Sequence, residues 1–320
     1  MLENAVLFSL SSNEKLAGDI AAKLGMTLGN RLVRHFPSGE VICEPIDTVR
    51  GKNVYIVQPT CPPVNDNLME VLIFVDALKR ASAREINVII PYFGYARQDR
   101  KAKPRQPISA KLVADLLVTA GVDRVVTVDL HASQIQGFFS CLIDDLTAIP
   151  LLGYSIMENR KDFSNVVVVS PDHGGVNRAR KIATQFNCPL AIIDKRRNSN
   201  NDPEVMNIIG SVEGKECYMV DDMIDTAGSA VEGCKALKNA GAKKVSFVCT
   251  HAVLSDPAHE RLSSHIFDEI IVTDSIPLKE KFNDLNIKVV SLAPMLAEII
   301  KRIETNEPLS VVYDTYANIK

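Results

Sequence analysis

The sequence predicts an α/β protein made of two tandem, doubly wound parallel-sheet domains that are related by internal duplication. Short apolar segments recur along the 320 residues and alternate with helical patterns, as in parallel sheets that helices cover on both faces. The chain is also longer than one hydrophobic core usually supports. Finally, parts of the two halves align at a spacing of 120 residues.

The apolar segments, rich in valine and isoleucine, predict strands at residues 6–10, 54–57, 88–90, 125–128, 166–169, 190–193, 218–220, 245–248, 270–272 and 289–292. Helical patterns predict helices at residues 13–24, 67–80, 109–119, 176–185, 230–238 and 295–304. Ser12 is the predicted N-cap of the first helix. A boundary near residues 146–150 gives a first domain over residues 1–147 and a second over residues 148–299. The last segment, about residues 300–320, either ends the second domain or packs back on the first.

The internal repeat aligns a helix, a glycine and a strand with a second copy 120 residues later. Eight of the 23 aligned positions are identical without a gap, from Ser109 and Ser229 to His131 and His251. Gly121 and Gly241 stand where a glycine usually ends a helix. Chance similarity between two strand–helix units remains an alternative.

The most informative stretch is residues 221–229, Asp-Asp-Met-Ile-Asp-Thr-Ala-Gly-Ser, between a predicted strand and a predicted helix. The free N–H groups and the dipole of a helix N-terminus suit a phosphate, and Gly228 allows a close approach of the backbone. Asp221 and Asp222 repel a phosphate and are better suited to accept hydrogen bonds from sugar hydroxyls. The stretch therefore predicts a sugar-phosphate site, and the alternative is an acidic turn before an N-cap.

The first copy of the repeat has a different turn at this place. Residues 101–108 read Lys-Ala-Lys-Pro-Arg-Gln-Pro-Ile, so the carboxylates are replaced by basic side chains. The first half is therefore not expected to hold a sugar phosphate in the same way. The basic turn either binds the phosphate groups of another ligand or is a solvated loop.

Three other segments follow predicted strands, where ligands of such sheets bind. Asp172 precedes a pair of glycines and can hold a divalent cation, although a plain glycine-rich turn is the alternative. Asp129 and His131 point to the same side if their strand continues, and they can then contact a metal or a phosphate. Residues 195–197, Lys-Arg-Arg, open a polar segment typical of a mobile flap over a charged reaction centre, or of a solvated basic turn.

Further residues suit a nucleotide or have a structural reading. Arg97 and Gln98 follow the aromatic residues Tyr92, Phe93 and Tyr95, and such a cluster can stack on a base and pair with phosphates. His251, the counterpart of His131, is interpreted as structural.

Composition and charge exclude several classes of protein. The chain is 46% hydrophobic and 23% charged with a net charge of −3, so no general affinity for nucleic acid is expected. No run of about 18 apolar residues predicts a membrane span, and the N-terminus lacks the pattern of a signal peptide. Seven scattered cysteines without a Cys-x-x-Cys pair favour reduced thiols and a cytoplasmic protein.

Together these segments resemble the ribose-phosphate pyrophosphokinases of class I, within the type I phosphoribosyltransferase superfamily. The resemblance covers nearly the whole chain, and its most specific motif is residues 129–139, Asp-Leu-His-Ala-Ser-Gln-Ile-Gln-Gly-Phe-Phe. Residues 65–70, 95–99, 107–111 and 221–229 match the family as well. The resemblance implies two phosphoribosyltransferase-type domains. It also implies an enzyme of nucleotide biosynthesis that uses Mg²⁺ and transfers the β,γ-diphosphoryl group of ATP to the 1-hydroxyl of ribose 5-phosphate, giving phosphoribosyl pyrophosphate (PRPP) and AMP.

The resemblance also implies roles for single residues. Lys195 and Arg197 stabilise the moving diphosphoryl group. The ribose hydroxyls and the 5-phosphate are bound by Asp221, Asp222, Asp225, Thr226, Ala227, Gly228 and Ser229. ATP is contacted by Phe36, Ser38, Glu40, Arg97, Gln98 and His131, of which the first three form an adenine pocket across a subunit interface. The metal and its substrates are served by His131, Asp172 and Asp129. The family usually has Asp or Asn at the position of Ser38.

The main class of the family is a homohexamer that inorganic phosphate activates and ADP inhibits. Its regulatory site corresponds here to Thr48, Arg50, Arg105 and Ser310, of which Arg105 lies in the basic turn of the first copy. Two alternatives remain open: a PRPP-consuming phosphoribosyltransferase and a non-catalytic, regulatory subunit of the same family. The intact Lys195, Arg197, Asp221 and Asp222 argue against the second.

Overall fold

The computed structural model describes residue 2, residues 4–196 and residues 205–316. The chain forms two compact units. The first consists of Met1–Thr147, Ser275–Pro277 and Ser291–Tyr313, and the second consists of Ala148–Asp274, Leu278–Val290 and Asp314–Lys320. Among the described residues, no helix is both long and apolar enough to cross a membrane.

The strands of the first unit are β1 (Ala5–Ser9), β2 (Arg31–His35), β3 (Val41–Pro45), β4 (Asn53–Val57), β5 (Glu85–Ile90), β6 (Arg124–Val128) and β7 (Leu142–Leu146). The helices that connect them are α1 (Glu14–Leu24), α2 (Val64–Arg80) and α3 (Ser109–Ala120), with a 3-10 helix at Ser133–Phe138. Five strands form a parallel sheet in the order β1-β4-β5-β6-β7, which is also their order in the chain. The other two, β2 and β3, form a separate antiparallel hairpin that packs on α2.

Apolar side chains of alternating strand residues form the core of this unit. Val54 and Ile56 of β4 share one buried cluster with Phe74 of α2 and Leu117 of α3. Phe8 of β1 meets Phe74 edge to face, with 5.2 Å between the ring centroids. Burying one such side chain stabilises the fold by roughly 1.5–3 kcal/mol, so the valine-rich segments are held as strands by helices packed above them.

The N-cap of α1 differs from the prediction. Asn13, not Ser12, caps the helix, because its side-chain oxygen accepts a hydrogen bond from the backbone N–H of Leu16 at 3.2 Å. The hydroxyl of Ser12 instead donates to the backbone carbonyl of Pro59 at 2.8 Å and to Oε1 of Gln58 at 2.7 Å. Ser12 therefore ties the start of α1 to the end of β4, and the prediction of a Ser12 cap is wrong.

The second unit begins with α4 (Ile149–Met157) and continues with β8 (Val166–Ser170), α5 (Val176–Phe186), β9 (Leu190–Arg196), β10 (Val205–Ile209) and β11 (Glu216–Ile224). It then adds α6 (Gly228–Asn239), β12 (Lys244–Ala252), α7 (Ala258–Leu262), β13 (Glu269–Thr273), a 3-10 helix at Glu280–Phe282, and β14 (Ile287–Val290). Its sheet has the order β10-β9-β8-β11-β12-β13-β14 and is parallel except for β10, which runs antiparallel to β9. The strand order reverses at β8, which has β9 on one side and β11 on the other. This reversal is the topological switch point at which ligands of such sheets bind.

The repeat seen in the sequence is visible in both units. Helix α3 and helix α6 are followed by glycines with positive φ angles, 114° at Gly121 and 86° at Gly241, and strands β6 and β12 begin 120 residues apart. The two copies differ after these strands. Strand β12 continues to Ala252 and buries His251, whereas β6 stops at Val128 and His131 lies beyond it, exposed. The structural reading of His251 is confirmed.

The last helices are α8 (Ala293–Thr305) and α9 (Ser310–Thr315). Helix α8 packs against α1, so the chain returns to the first unit after completing the second sheet. Its Glu304 accepts hydrogen bonds from Oη of Tyr55 at 2.7 Å and from Nδ2 of Asn53 at 2.9 Å, both on β4.

Candidate functional site

Three of the predicted segments meet at the carboxyl ends of three adjacent strands in the second unit. Residues 172–175 follow β8, Lys195 lies near the end of β9, and residues 221–229 span the end of β11. Because β8 lies between β9 and β11, the sheet itself brings these segments together. Arg197 lies outside the described residues.

Two of the three acidic residues of the predicted loop, Asp221 and Asp222, lie in a strand. Strand β11 continues to Ile224 and pairs with β12 past this point, with Asp221 opposite Cys249, whereas its pairing with β8 stops at Met219. Asp221 and Asp222 therefore stand where β11 has lost its neighbour on one side. The extension was missed because carboxylates interrupt the apolar pattern on which the prediction of residues 218–220 rested.

A cation from α5 holds both carboxylates. Nη1 of Arg178 lies 3.1 Å from Oδ1 of Asp221 and 3.6 Å from Oδ1 of Asp222. The side chain of Asp222 is 5% exposed and that of Asp221 is 29% exposed. The pKa of Asp221 is raised to about 8. Burial contributes most to this shift, the neighbouring charge of Asp222 adds to it, and Arg178 lowers the pKa. The pair therefore takes up protons as a unit near neutral pH.

Arg178 was not identified in the sequence, although one signal was present. It is the third residue of α5, where the helix dipole disfavours a positive charge. A basic residue in the first turn of a helix indicates an anionic partner nearby.

The start of α6 offers an open set of backbone donors. Within the described residues, no side chain caps this helix. The residue before it, Ala227, is buried and has a left-handed φ of 60°, which costs a residue with a Cβ atom about 1–2 kcal/mol. Such strain is often retained at functional sites. Thr226 and Ser229 are exposed on either side, as a phosphate-binding turn requires.

A second arginine that the sequence analysis missed supports this turn. Nη1 of Arg261, on α7, donates a hydrogen bond to the backbone carbonyl of Thr226 at 2.8 Å. A Cβ atom on Gly228 would lie only 3.0 Å from the same Nη1, so a side chain at this position would require the Arg261 guanidinium to shift.

The turn after β8 presents Asp172 at the surface. Oδ1 of Asp172 accepts a hydrogen bond from the backbone N–H of Gly175 at 2.9 Å, and the hydroxyl of Ser170 donates to the Asp172 carbonyl at 2.7 Å. Nε2 of His173 lies 3.1 Å from Oδ1 of Asp194 on β9, so the turn is also linked to the next strand. The exposed carboxylate is therefore held at a defined place.

The predicted flap begins on a strand. Lys195 pairs with Met206 of β10, and the pairing of β9 with β8 stops at Ile192. The basic triplet thus starts on an antiparallel pair of strands that extends past the end of β8. The rest of the predicted flap, residues 197–204, lies outside the described residues.

In the first unit, the predicted adenine residues lie at the tip of the β2–β3 hairpin. The tip is closed by a hydrogen bond of 2.8 Å from the backbone N–H of Phe36 to the Glu40 carbonyl. Phe36 is 37% exposed, and the guanidinium carbon of Arg34 lies 4.8 Å from its ring centroid. The hydroxyl of Ser38 donates to Oε2 of Glu40 at 2.8 Å. An exposed aromatic ring beside a carboxylate and a hydroxyl can receive a planar polar group.

Arg97 and Gln98 follow β5 and are exposed. Oε1 of Gln98 accepts a hydrogen bond of 2.5 Å from the hydroxyl of Ser109, the first residue of α3. Two of the neighbouring aromatic residues, Tyr92 and Phe93, are buried, and Phe93 packs against Phe139 with 5.7 Å between the ring centroids. These two rings belong to the core and are not available to stack on a base, which corrects the prediction.

Asp129 and His131 do not share a strand. Strand β6 ends at Val128, and Asp129 has a left-handed φ of 45°. Oδ1 of Asp129 accepts a hydrogen bond from Oγ1 of Thr147 at 2.8 Å. The two side chains were expected to point to the same side only if the strand continued through residues 129–131, and it does not.

The four predicted regulatory residues all belong to the first unit and are exposed. Nη1 of Arg50 donates to the hydroxyl of Ser82 at 3.2 Å. Arg105 has a left-handed φ of 69°, and Ser310 is the first residue of α9. Thr48 lies in the segment between β3 and β4.

Comparison with known proteins agrees with this arrangement. The family model for the N-terminal domain of ribose phosphate pyrophosphokinase matches residues 5–121, and the model for the phosphoribosyl synthetase-associated domain matches residues 197–314. A ribose-phosphate pyrophosphokinase of Fusobacterium nucleatum is 55% identical over 97% of this chain and 98% of its own length. Ribose-phosphate pyrophosphokinase 2 of Enterococcus faecalis is 52% identical over 97% of this chain and 96% of its own length.

A solved structure supports the same relationship at the level of the fold. The crystal structure of phosphoribosylpyrophosphate synthetase from Mycobacterium smegmatis superposes with a TM-score of 0.89 and 42% identity, covering 95% of this chain and 99% of that one. The predicted α/β class is thereby confirmed. The chain belongs to the ribose-phosphate pyrophosphokinase family.

Proposed function

We propose that this chain is a ribose-phosphate diphosphokinase, which transfers the β,γ-diphosphoryl group of ATP to the 1-hydroxyl of ribose 5-phosphate and forms PRPP and AMP. One structural observation supports this proposal in addition to the membership of the family. At the switch point of the second sheet, two partly buried carboxylates stand beside a helix N-terminus that no described side chain caps. Acceptors for hydroxyls next to donors for a phosphate match a sugar phosphate.

The ribose 5-phosphate site is assigned within the second unit. Asp221 and Asp222 accept hydrogen bonds from the ribose hydroxyls. The 5-phosphate is received by the turn and helix start formed by Asp225, Thr226, Ala227, Gly228 and Ser229, whose backbone N–H groups and dipole favour an anion. Arg261 supports this turn through the Thr226 carbonyl.

In the transfer step, the oxygen of the 1-hydroxyl forms a bond to the β-phosphorus of ATP. The bond between the β-phosphorus and the oxygen that joins it to the α-phosphorus breaks, so AMP leaves with that oxygen. The proton of the 1-hydroxyl is released. Lys195 and Arg197 are assigned to the charge that builds up on the moving diphosphoryl group. Catalysis of phosphoryl transfer depends mainly on such positioning and charge stabilisation.

Mg²⁺ is the proposed metal, and the donor set fits it. Asp172 of the second unit offers an exposed carboxylate that the Gly175 N–H holds in place. Within the described part of the chain, no group of three or more potential ligands forms a ready-made site. A cation that one or two carboxylates and the substrate phosphates hold together is typical of Mg²⁺. When bound, Mg²⁺ neutralises the negative charge of the phosphates.

ATP is assigned to Phe36, Ser38, Glu40, Arg97, Gln98 and His131, with His131 also beside the metal. The exposed hairpin tip supports the proposal that a second subunit completes the adenine pocket in a homo-oligomer, a hexamer by analogy with the family. Inorganic phosphate and ADP are proposed as effectors at Thr48, Arg50, Arg105 and Ser310. The two units are taken as the two phosphoribosyltransferase-type domains.

The decisive assay measures AMP and PRPP formed from ATP and ribose 5-phosphate by the purified chain alone. Formation of both products in equal amounts, dependent on ribose 5-phosphate, is the expected result. A phosphoribosyltransferase would consume added PRPP and release no AMP from ATP. A non-catalytic subunit would give no product without a partner chain.

Lys195→Ala tests the assignment of the transfer step. We expect kcat to fall by about 10²-fold or more while ribose 5-phosphate still binds, because the lost charge acts in the transition state. The matched control is Lys235→Ala, which removes an exposed lysine from α6 of the same unit. An unchanged kcat in Lys195→Ala would remove this residue from the mechanism.

A further inference from the structure

Arg178 lies beside the proposed sugar site, although none of the roles assigned above includes it. It lies on α5, directly after the turn that holds Asp172, and its guanidinium reaches the two carboxylates at the end of β11, 43 positions later in the chain. Its side chain is only 18% exposed, and Nη1 lies 3.1 Å from Asp221 and 3.6 Å from Asp222.

We propose that Arg178 is a positioning residue of the ribose 5-phosphate site, which orients the carboxylates of Asp221 and Asp222 toward the sugar hydroxyls and balances their charge. This inference rests on the proposed function of that site. Arg178 acts through the two carboxylates and is not a catalytic residue.

The geometry supports orientation as the first part of this role. Consecutive residues of a strand point to opposite faces, so two neighbouring aspartates do not by themselves direct their carboxylates to one ligand. A planar guanidinium carries several donors in a fixed arrangement and can bind two carboxylates at once. Oδ1 of Asp221 is further held by the backbone N–H of Asp222 at 2.8 Å.

Charge balance is the second part. Two carboxylates this close to each other and shielded from water cannot both stay ionised without a cation. Arg178 from α5 and Cys249 from β12 lie against the pair. Burial raises the pKa of the Cys249 thiol well above its ordinary value, so this thiol is neutral and Arg178 supplies the compensating charge.

A consequence follows for ligand binding. Arg178 lowers the pKa of Asp221, so without it the pair holds its proton up to a higher pH than in wild type and accepts fewer hydrogen bonds from the sugar. Raising the pH removes this proton and restores part of the acceptor capacity. A purely structural role for Arg178 predicts no such recovery.

The test compares Arg178→Gln and Arg178→Lys with wild type in the full-length protein. Isothermal titration with ribose 5-phosphate from about pH 6.5 to pH 9 gives the affinities. The matched control is Arg180→Ala, which removes an exposed arginine from the same helix. For Arg178→Gln we expect binding to weaken by roughly 10- to 100-fold near pH 7 and to recover by several-fold near pH 9. Arg178→Lys keeps the charge but not the planar fork and should lie in between.

A second ligand separates hydroxyl recognition from phosphate recognition. Titration with 2-deoxyribose 5-phosphate, which lacks one hydroxyl, should show a smaller loss in Arg178→Gln than titration with ribose 5-phosphate. Equal losses for both sugars at every pH, or wild-type affinity in Arg178→Gln, would overturn the inference. If Arg178→Gln does not fold, the same criteria apply to Arg178→Lys. Failure of the proposed function looks different, because wild type itself would then not bind ribose 5-phosphate.

Discussion

Asp221 and Asp222 show how the environment of a side chain decides its chemistry. An isolated aspartate is ionised at neutral pH, but here burial and the second carboxylate raise the pKa of Asp221 to about 8. In the ligand-free protein the pair therefore binds a proton that the unfolded chain releases. The pKa of Asp221 thus depends on neighbouring side chains, including Arg178, which the sequence pattern did not reveal.

This shift predicts how stability changes with pH. The native state holds the extra proton, so its stabilising effect is present in full below the ordinary pKa of 3.8 and is lost as the pH rises through the raised value of about 8. We expect the free energy of unfolding of the ligand-free wild type to fall between about pH 5 and pH 8. The slope is at most about 1.4 kcal/mol per pH unit from this group.

Asp221→Asn isolates the effect, because asparagine does not titrate. Denaturant unfolding at several pH values should show that the variant gains stability relative to wild type as the pH rises. A difference between the two proteins that stays constant over this range would show that Asp221 is ionised throughout.

At the scale of elements, a buried carboxylate anchors the β2–β3 hairpin. Glu70 of α2 has a side chain that is 2% exposed, and it accepts hydrogen bonds from the backbone N–H and the hydroxyl of Ser11 and from Nε2 of Gln58. Its Oε1 also lies 3.2 Å from Nε2 of His35, the last residue of β2. The next residue is Phe36, so this contact holds the end of β2 beside the hairpin tip that carries the proposed adenine residues.

Glu70→Ala should therefore weaken both the unit and the hairpin. It removes the acceptor that Ser11 and the buried Nε2 of Gln58 share, and weakening the hydrogen bonding of a buried donor costs up to about 1–3 kcal/mol. We expect a clear loss in the free energy of unfolding and faster amide hydrogen exchange at residues 31–45. Glu70→Gln keeps one acceptor and should lose less, while Glu44→Ala, at an exposed position of β3, is the control. Unchanged exchange in Glu70→Ala would show that the hairpin does not depend on this contact.

The elements that were not predicted lack the local patterns on which the prediction relied. All ten predicted strands and six predicted helices overlap observed ones, because an apolar run or an amphipathic period is a local signal. Strands β2 and β3 are half exposed and β7 contains Asp144 and Asp145, so they lack a buried apolar run. Their polar residues gain partners only in the fold, as when Asp145 accepts a hydrogen bond from Oγ1 of Thr127. Helix α4 was missed because it is apolar almost throughout and contains a proline and a glycine.

At the scale of the whole molecule, the C-terminal part of the chain completes the first unit. Helix α8 packs on α1, and its Glu304 accepts hydrogen bonds from Tyr55 and Asn53 of β4. Burial, together with this carboxylate, raises the pKa of Tyr55, so its hydroxyl stays protonated and donates to Glu304. The first unit is therefore complete only after the second has been synthesised.

Glu304→Ala tests this closure. Tyr55 is fully buried, and losing the acceptor of its hydroxyl should lower the free energy of unfolding by roughly 1.5–3 kcal/mol. Glu304→Gln should retain most of the stability, and Glu298→Ala, on the same helix but 37% exposed, is the control. Denaturant unfolding measures the three variants. If Glu304→Ala and Glu298→Ala are equally stable, the contact does not hold α8 in place.

The repeated helix and strand lie in both sheets, and the turns before the repeated helices differ between the two units. In the second copy, β11 carries Asp221 and Asp222 near its end and α6 starts at a glycine, whereas the corresponding turn of the first copy carries Lys101, Lys103 and Arg105. The same framework thus presents acceptors in one unit and cations in the other. The roles proposed for these side chains stay predictions until ligands are bound.

The α/β class, the central parts of most strands and helices, and the glycines that follow α3 and α6 could be predicted from the sequence alone, and residues 221–229 were predicted from it as a sugar-phosphate site. These features depend on residues that are close together in the chain. Strands and helices in particular show themselves by apolar residues that recur with a period of two or 3.6. Only the tertiary structure decided that Arg178 holds Asp221 and Asp222, that β11 continues through both aspartates, and that Asp129 turns away from its strand. The reason is that such contacts join residues far apart in the chain, so they exist only once the order of the strands has brought them within reach.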